Sequence, residues 1–355
     1  MQGRNAHGPD EPERHKLRAP RAQDVAIAAG VSTASVSRAF NSPEKVAPAV
    51  RDRVLAAAAS LGWLPHAAGA ALARRRTAIA GVVIPTLGQE IFASQVEAMQ
   101  GVFARRDVTL LIGCSNYDPL QAESQVRAML ARGIEALAII GEAQRPGLFE
   151  LIRARRVPYV VTYGARPDTP HPCIGFDNSE AYRRITRHLL DLGHRVVGVI
   201  LQPMKDNDRV AARLAGVCEE LAEHGLGLRR RHRFESAYSL SSGRAGLQAL
   251  LSGPEPRPTA VICGNDVLAI GALLEARAMG LKVPRDLSIT GFDNTALAGE
   301  IDPALTTMDI DNVEVGRLAA MHLLASMDGN TPPPNVLMTP VFVERATTAP
   351  PPSRA

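Results

Sequence analysis

The chain has 355 residues, 46% of them hydrophobic and 21% charged, with a formal net charge of +4; this composition suits a multidomain globular protein with a substantial core. No run approaches the ~20 apolar residues of a membrane span, and the first 18 residues, MQGRNAHGPDEPERHKLR, hold no apolar signal-peptide region, so a cytoplasmic location is expected. The charge is uneven: residues 1–76 carry 12 Lys/Arg against 6 Asp/Glu, a balance of +6, while the remainder balances at −2. A basic N-terminal segment points to an anionic partner that neutralises it, with an affinity that falls as salt rises.

Residues 21–41, RAQDVAIAAGVSTASVSRAFN, read as two short helices joined at Gly30-Val31. In the first, from about Ala22 to Ala29, the residues Val25, Ala26 and Ala29 form one apolar stripe, while Gln23 and Asp24 stay in water. Gly30 accepts a left-handed turn, and Ser32 caps the second helix by accepting from an orphan backbone N–H. In that helix Val36, Ala39 and Phe40 face inward, which turns Ala34, Ser37, Arg38 and Asn41 outward and leaves Thr33 at the border. A helix-turn-helix places the N-terminal end of its second helix in the major groove of DNA, where Arg38 has the reach to bind guanine O6 and N7. The same residues also fit an αα-hairpin of a helical bundle with Arg38 merely solvated. A third helix is predicted in AVRDRVLAAAASLGW, where Val50, Val54, Ala58 and Leu61 recur at helical spacing before Gly62. The next stretch, PHAAGAALARRRT, has Leu72 as its only large apolar group and is too short to hold a helix unaided.

From Ala78 the pattern alternates short apolar runs with amphipathic segments of helical length, as in a parallel, doubly wound sheet. Strands are predicted in AIAGVVIP, VTLLIGCSN, ALAIIG, PYVVTYG, RVVGVILQP, TAVICGN and LSITGFD. Helices are predicted between them, among them QAESQVRAMLARG, SEAYRRITRHLLDLGH, DRVAARLAGVCEELAEHGL and DVLAIGALLEARAMGL. The run suggests two similar α/β lobes, and a cleft between them collects the carboxyl ends of several strands. Those ends carry polar groups: Asp177 and Asn178 after CIGF, Asn265 and Asp266 after VICG, and Asp293 and Asn294 after ITGF, with Arg213 on the helix after RVVGVILQP. Such groups suit the hydroxyls and anionic head of a small polyol or sugar acid. Each Asp also fits a helix N-cap, and for Asp266 capping is the stronger reading.

Cys114, Cys173, Cys218 and Cys263 are isolated in apolar runs without a CxxC pair, and read as buried small hydrophobes of a reducing compartment. No metal site and no cofactor are expected. The chain lacks a GxSxG elbow, a P-loop, an HExxH and a GxGxxG after a strand, so no enzyme is indicated. His188 and His194, at the end of one helix, read as capping or surface residues. Residues 1–18 and the Pro-rich 346–355 tail are expected to be disordered, having little apolar surface to bury.

The order DVA…AGVS…SVSRAFN, then VLAAAASLGWLPHAAGAALARRR, then AGVVIPTL resembles the lactose/galactose repressor (LacI/GalR) family of bacterial regulators over nearly the whole chain. VIPTLGQEIFA, IGFDNSEA and AYSLSSG are similar to its gluconate-repressor branch. The resemblance implies a small all-α helix-turn-helix headpiece in 19–66, a hinge helix and linker in 67–76, and a two-lobed effector-binding and dimerisation core in 77–345. The core would resemble periplasmic sugar-binding proteins. It implies DNA contacts from Gln23, Ser32, Thr33, Ala34, Ser37, Arg38 and Asn41, with Leu72 wedged in the minor groove. His66 and Gly69 depart from the usual hinge residues, and Gly69 weakens a helix by about 0.5–1 kcal/mol. The implied effector site holds Phe92, in the loop after the first strand, with Asp177, Arg209, Arg213, Asn265 and Asp293. Arg209 is taken as a second pocket cation rather than a surface partner of a carboxylate.

The expected partners are therefore a pseudo-palindromic double-stranded operator, a second copy of the chain in a homodimer with a tetramer possible, and a sugar acid such as gluconate. The alternatives are a nucleobase co-repressor on the same fold, a cytoplasmic solute-binding protein, or an enzyme.

Overall fold

The computed structural model describes residues 18–64, 76–165, 168–333 and 335–352. The chain divides into two compact units, Met1–Thr77 and Ala78–Ala355. Residues 1–17 and the hinge region, with His66, Gly69 and Leu72, lie outside the described residues.

The first unit is three helices: α1 (Ala22–Ala29), α2 (Thr33–Asn41) and α3 (Pro48–Leu61). Their core is small and alanine-rich, with Val25, Val36 and Val54 fully buried beside Ala26, Ala29, Ala39 and Ala58. Small side chains let the helices approach closely, and Phe40 closes one side edge-on against Trp63 at 5.3 Å. Leu61, expected inward, is exposed, because it falls in the last turn just before Gly62 ends α3.

The second unit begins with β1 (Ile79–Ile84), α4 (Glu90–Ala104), β2 (Thr109–Cys114), α5 (Pro119–Ala131), β3 (Ala136–Ile140), α6 (Leu148–Ala154), β4 (Tyr159–Thr162) and β5 (Cys173–Gly175). It continues with α7 (Asn178–Asp191), β6 (Val197–Leu201), α8 (Asp208–Glu223), β7 (Arg233–Glu235), α9 (Leu240–Leu251), β8 (Ala260–Cys263), α10 (Asp266–Ala278) and β9 (Ser288–Thr290). The last elements are α11 (Ala296–Glu300), β10 (Thr307–Asp309), α12 (Asn312–Met327), β11 (Asn335–Leu337) and β12 (Val341–Val343).

Two parallel sheets follow, ordered β11-β5-β4-β3-β1-β2 and β7-β6-β8-β9, with β10 and β12 as an antiparallel pair. The central strands are apolar throughout because helices cover both faces: Val82 of β1 lies between Ile112 and Ala138, and all five residues of β3 are buried. α12 packs along α4 in the first lobe, while α7 pairs with α8 and α9 with α10 in the second. The chain passes between lobes after β5, after β10 and after β11. Strand order reverses next to β1 in one sheet and next to β6 in the other, so the carboxyl ends of these strands and their neighbours open onto the cleft.

Three expectations are corrected here. Residues 346–352 are packed rather than disordered: Thr347 is fully buried, its carbonyl accepts from Ile289 N at 2.9 Å and its Oγ1 accepts from Thr306 N at 2.9 Å. His188 and His194 are neither caps nor surface groups but fasten that segment. His194 is buried and contacts Thr259 Oγ1, Ser288 Oγ and the Ala349 carbonyl, and His188 reaches Thr348 Oγ1 at 3.1 Å. Of the cysteines, Cys173 and Cys263 are buried, Cys114 is half-buried and Cys218 is exposed, because α8 turns that position to solvent.

Candidate functional site

In the helical unit, α1 ends where Gly30 adopts φ 65°, and Val31 N donates back to the Ala26 carbonyl at 2.9 Å. Ser32 caps α2 by accepting from Ser35 N at 3.1 Å. With Val36 and Ala39 buried, helical periodicity leaves Thr33, Ala34, Ser37 and Arg38 exposed on one face, together with Gln23 of α1. Asn41, half-buried, donates to Ser37 Oγ at 3.3 Å. Arg38 is folded back, its Nε donating to the Ala34 carbonyl at 3.3 Å. That long single bond holds the guanidinium weakly, and a planar five-donor fork on an exposed helix suits a base edge or a phosphate.

In the cleft of the second unit, four of the six residues expected for an effector meet around one cavity of about 30 Å³: Phe92, Arg209, Arg213 and Asp293. Phe92 is in the first turn of α4, not in a loop, and packs edge-on to Tyr163 at 5.5 Å. Arg213 is 7% exposed and held on three sides. Its Nε donates to Asn178 Oδ1 at 2.9 Å, its Nη1 donates to the Gly264 carbonyl at 2.8 Å, and its guanidinium lies 4.1 Å from the Phe292 ring centre. Asp293, 5% exposed, sits at φ 109° and spends its backbone N–H on the Met308 carbonyl. Burial holds its carboxyl well above the usual carboxylate range, against the pull of Arg213. Arg209, half-buried, has its Nη1 3.4 Å from Asp208 Oδ1, and burial lowers its pKa.

Asp177 and Asn265 do not line this cavity. Asp177 is exposed and caps α7, its Oδ1 accepting from Ser179 N and Glu180 N at 2.8 and 3.1 Å. Asn265 is fully buried and caps α10, its Oδ1 accepting from Leu268 N at 2.9 Å. Asp266, expected to cap, instead ties three segments together. Its Oδ2 accepts from Thr295 N and Oγ1, and its Oδ1 accepts from Thr307 Oγ1 at 2.6 Å.

The cavity is completed by residues not singled out from the sequence: Gln89, Tyr117, Tyr163, Gln202, Asn207 and Tyr238. The signal for them was their position, since each follows the carboxyl end of a strand: Gln89 after β1, Tyr117 after β2, Tyr163 after β4, Gln202 and Asn207 after β6, and Tyr238 after β7. Tyr117 and Gln89 are bonded to each other, and Tyr163 Oη lies 2.9 Å from the Ile91 carbonyl and 3.0 Å from Asn312 Oδ1. Burial raises the pKa of both tyrosines, so they serve as neutral hydroxyls. Among the described residues no group of three or more His, Cys, Asp and Glu is placed to hold a metal, and no helix is long and apolar enough to cross a membrane.

A helix-turn-helix with an exposed arginine-bearing face and a two-lobed α/β unit with a polar cleft define the class: a DNA-binding regulatory protein. Comparison with known proteins specifies it. Residues 22–66 match the bacterial regulatory proteins of the lacI family, and residues 186–348 match the periplasmic binding protein-like domain. The chain is 33% identical over 308 residues to the HTH-type transcriptional repressor CytR of Escherichia coli strain K12, covering 86% of this chain and 89% of that protein. It is 28% identical to the HTH-type transcriptional regulator GntR of the same strain, over 91% and 96% of the two chains. The crystal structure of the lac repressor dimer bound to operator and the anti-inducer ONPF superposes with a TM-score of 0.83 at 26% identity, covering 94% of this chain and all of that one. The chain belongs to the LacI family and is a DNA-binding transcriptional repressor. The gluconate-repressor likeness read from the sequence has its counterpart in GntR.

Proposed function

We propose that this repressor binds a pseudo-palindromic operator as a homodimer in the cytoplasm, and that a small sugar acid in the cleft of its core sets the operator affinity. The DNA contacts come from Gln23, Ser32, Thr33, Ala34, Ser37, Arg38 and Asn41. The observation that carries the effector reading is the meeting of buried Asp293 with Arg213 and Arg209 in a cavity walled by tyrosines. A carboxylate and fixed tyrosine hydroxyls suit the hydroxyls of a polyol, and guanidinium groups suit its acid head. Three tyrosines and Phe92 also favour a planar ring, which keeps a nucleobase as the second reading.

An effector that prefers the low-affinity-for-DNA arrangement weakens operator binding by the same coupling free energy with which operator weakens effector, typically ~1–3 kcal/mol. A thermal-shift series of sugar acids, neutral polyols and nucleobases on the full chain tests the ligand class, because a ligand that binds only the native state raises its apparent stability. Stabilisation by gluconate-like acids with a matching change in operator affinity is expected. A nucleobase as the sole stabilising class replaces the sugar-acid reading with the second one.

A further inference from the structure

Tyr117 and Arg209 form a partition between two small cavities, each of about 30 Å³. Arg213 and Asp293 line one side, and Ser115, Gln144 and Asp206 line the other. A six-carbon ligand that extends across both cavities must move a side chain of their shared wall.

Arg213 is not that side chain, with Nε and Nη1 both bonded and an aromatic ring beneath its guanidinium. Among the described residues Arg209 has only the 3.4 Å contact to Asp208 Oδ1 as a hydrogen bond or ion pair. Its guanidinium occupies a socket that exists because residue 141 is glycine: at φ 71°, a Cβ there would overlap Arg209 Nη1. Gly141 closes β3 in the first lobe, whereas Arg209 opens α8 in the second. Asp208 reinforces the crossing, since its Oδ2 accepts from Glu142 N at 2.9 Å. Arg209 and Asp208 thus strap one lobe onto the other beside the cavity.

We propose that Arg209 is a swinging anion clamp: a ligand carboxylate or phosphate draws its guanidinium out of the Gly141 socket and thereby loosens the strap between the lobes. This rests on the cleft being the effector site and names the group that reads the ligand's charge. A neutral polyol held by Asp293 and Arg213 offers Arg209 no better partner than its present long contact, so displacing the guanidinium strands a mostly buried cation. An anion gives it a bidentate, charge-assisted pair.

The test uses the full chain with gluconate, its uncharged six-carbon counterpart glucitol, and inorganic phosphate, read by calorimetry and by amide exchange at Glu142. Gluconate should bind about 10- to 100-fold more tightly than glucitol, and Arg209→Gln should erase that gap by weakening gluconate and easing glucitol, whose entry no longer displaces a mostly buried cation. Gluconate, but not glucitol, should speed exchange of the Glu142 amide. Asp208→Asn should speed it with no ligand present, which separates the strap from any fault in folding. Measurable binding of gluconate and glucitol with equal affinity, or a gap that survives Arg209→Gln, overturns the clamp. Arg209-dependent binding of phosphate with gluconate inert upholds the clamp and removes the sugar acid; no Arg209-dependent binding of either anion overturns the clamp.

Discussion

Asp266 and Asp293 are both buried acids of the second lobe, and Asp266 is held by Thr295 and Thr307. Burial still outweighs those bonds and pushes its pKa up to about 6, from an ordinary value of 3.8. The folded chain therefore binds a proton that the unfolded chain has released between about pH 4 and 6, and this group's contribution to stability declines as pH rises through that window. Asp266→Asn removes the titration. The unfolding free energy of the variant should gain on that of the wild type by up to about 3 kcal/mol between pH 4 and pH 7.5 in denaturant titrations; a constant difference across the range contradicts this. His194 acts in the opposite sense. Burial among Thr259, Ser288 and Ala349 lowers its pKa below 6.5, so its contribution is present above that pH and is lost as pH falls and the unfolded chain takes up the proton. His194→Gln should therefore lessen the destabilisation that acid brings to the C-terminal segment, seen as slower exchange of the Ala349 amide at pH 5 relative to pH 8 than in the wild type.

The turn between α1 and α2 and the outer face of α2 make separable demands on the sequence. Gly30 occupies a left-handed conformation where an L side chain costs about 1–2 kcal/mol, although a Cβ there would meet nothing within 4 Å. Gly30→Ala should thus speed amide exchange throughout α1 and α2 by strain alone, while the reading face stays chemically intact. Arg38→Ala should do the reverse. The residue is exposed and weakly bonded, so helix protection should be unchanged, while operator affinity falls by about 1–3 kcal/mol in binding titrations at fixed salt. A loss shared equally by all sequences would instead assign Arg38 to a phosphate.

At the scale of the whole molecule, repression requires the cleft and the reading helix to be thermodynamically linked. Operator should weaken effector binding by the same factor by which effector weakens operator. Titrating each ligand in the presence of the other checks this, and unequal factors contradict a single linked equilibrium. Light scattering should give twice the chain mass of 37.9 kDa, as two half-sites one helical turn apart require. The sequence by itself determined the helix-turn-helix, because a 3.6-residue stripe, a glycine stop and a serine cap are written within 20 residues. It also determined the six longer strands, whose apolar runs record burial on both faces. The three-residue strands β5, β7 and β9–β12 carry too few positions to show a period, and only β9 fell within a predicted run. Only the tertiary structure decided that Asp177 is an exposed cap, that Thr347 is buried, and that Gln89, Tyr117, Tyr163, Gln202 and Tyr238 meet Arg213 and Asp293. Local spacing specifies hydrogen bonds within a few residues of each other, whereas a cavity built from residues 89 to 293 exists only once two sheets have closed on one another.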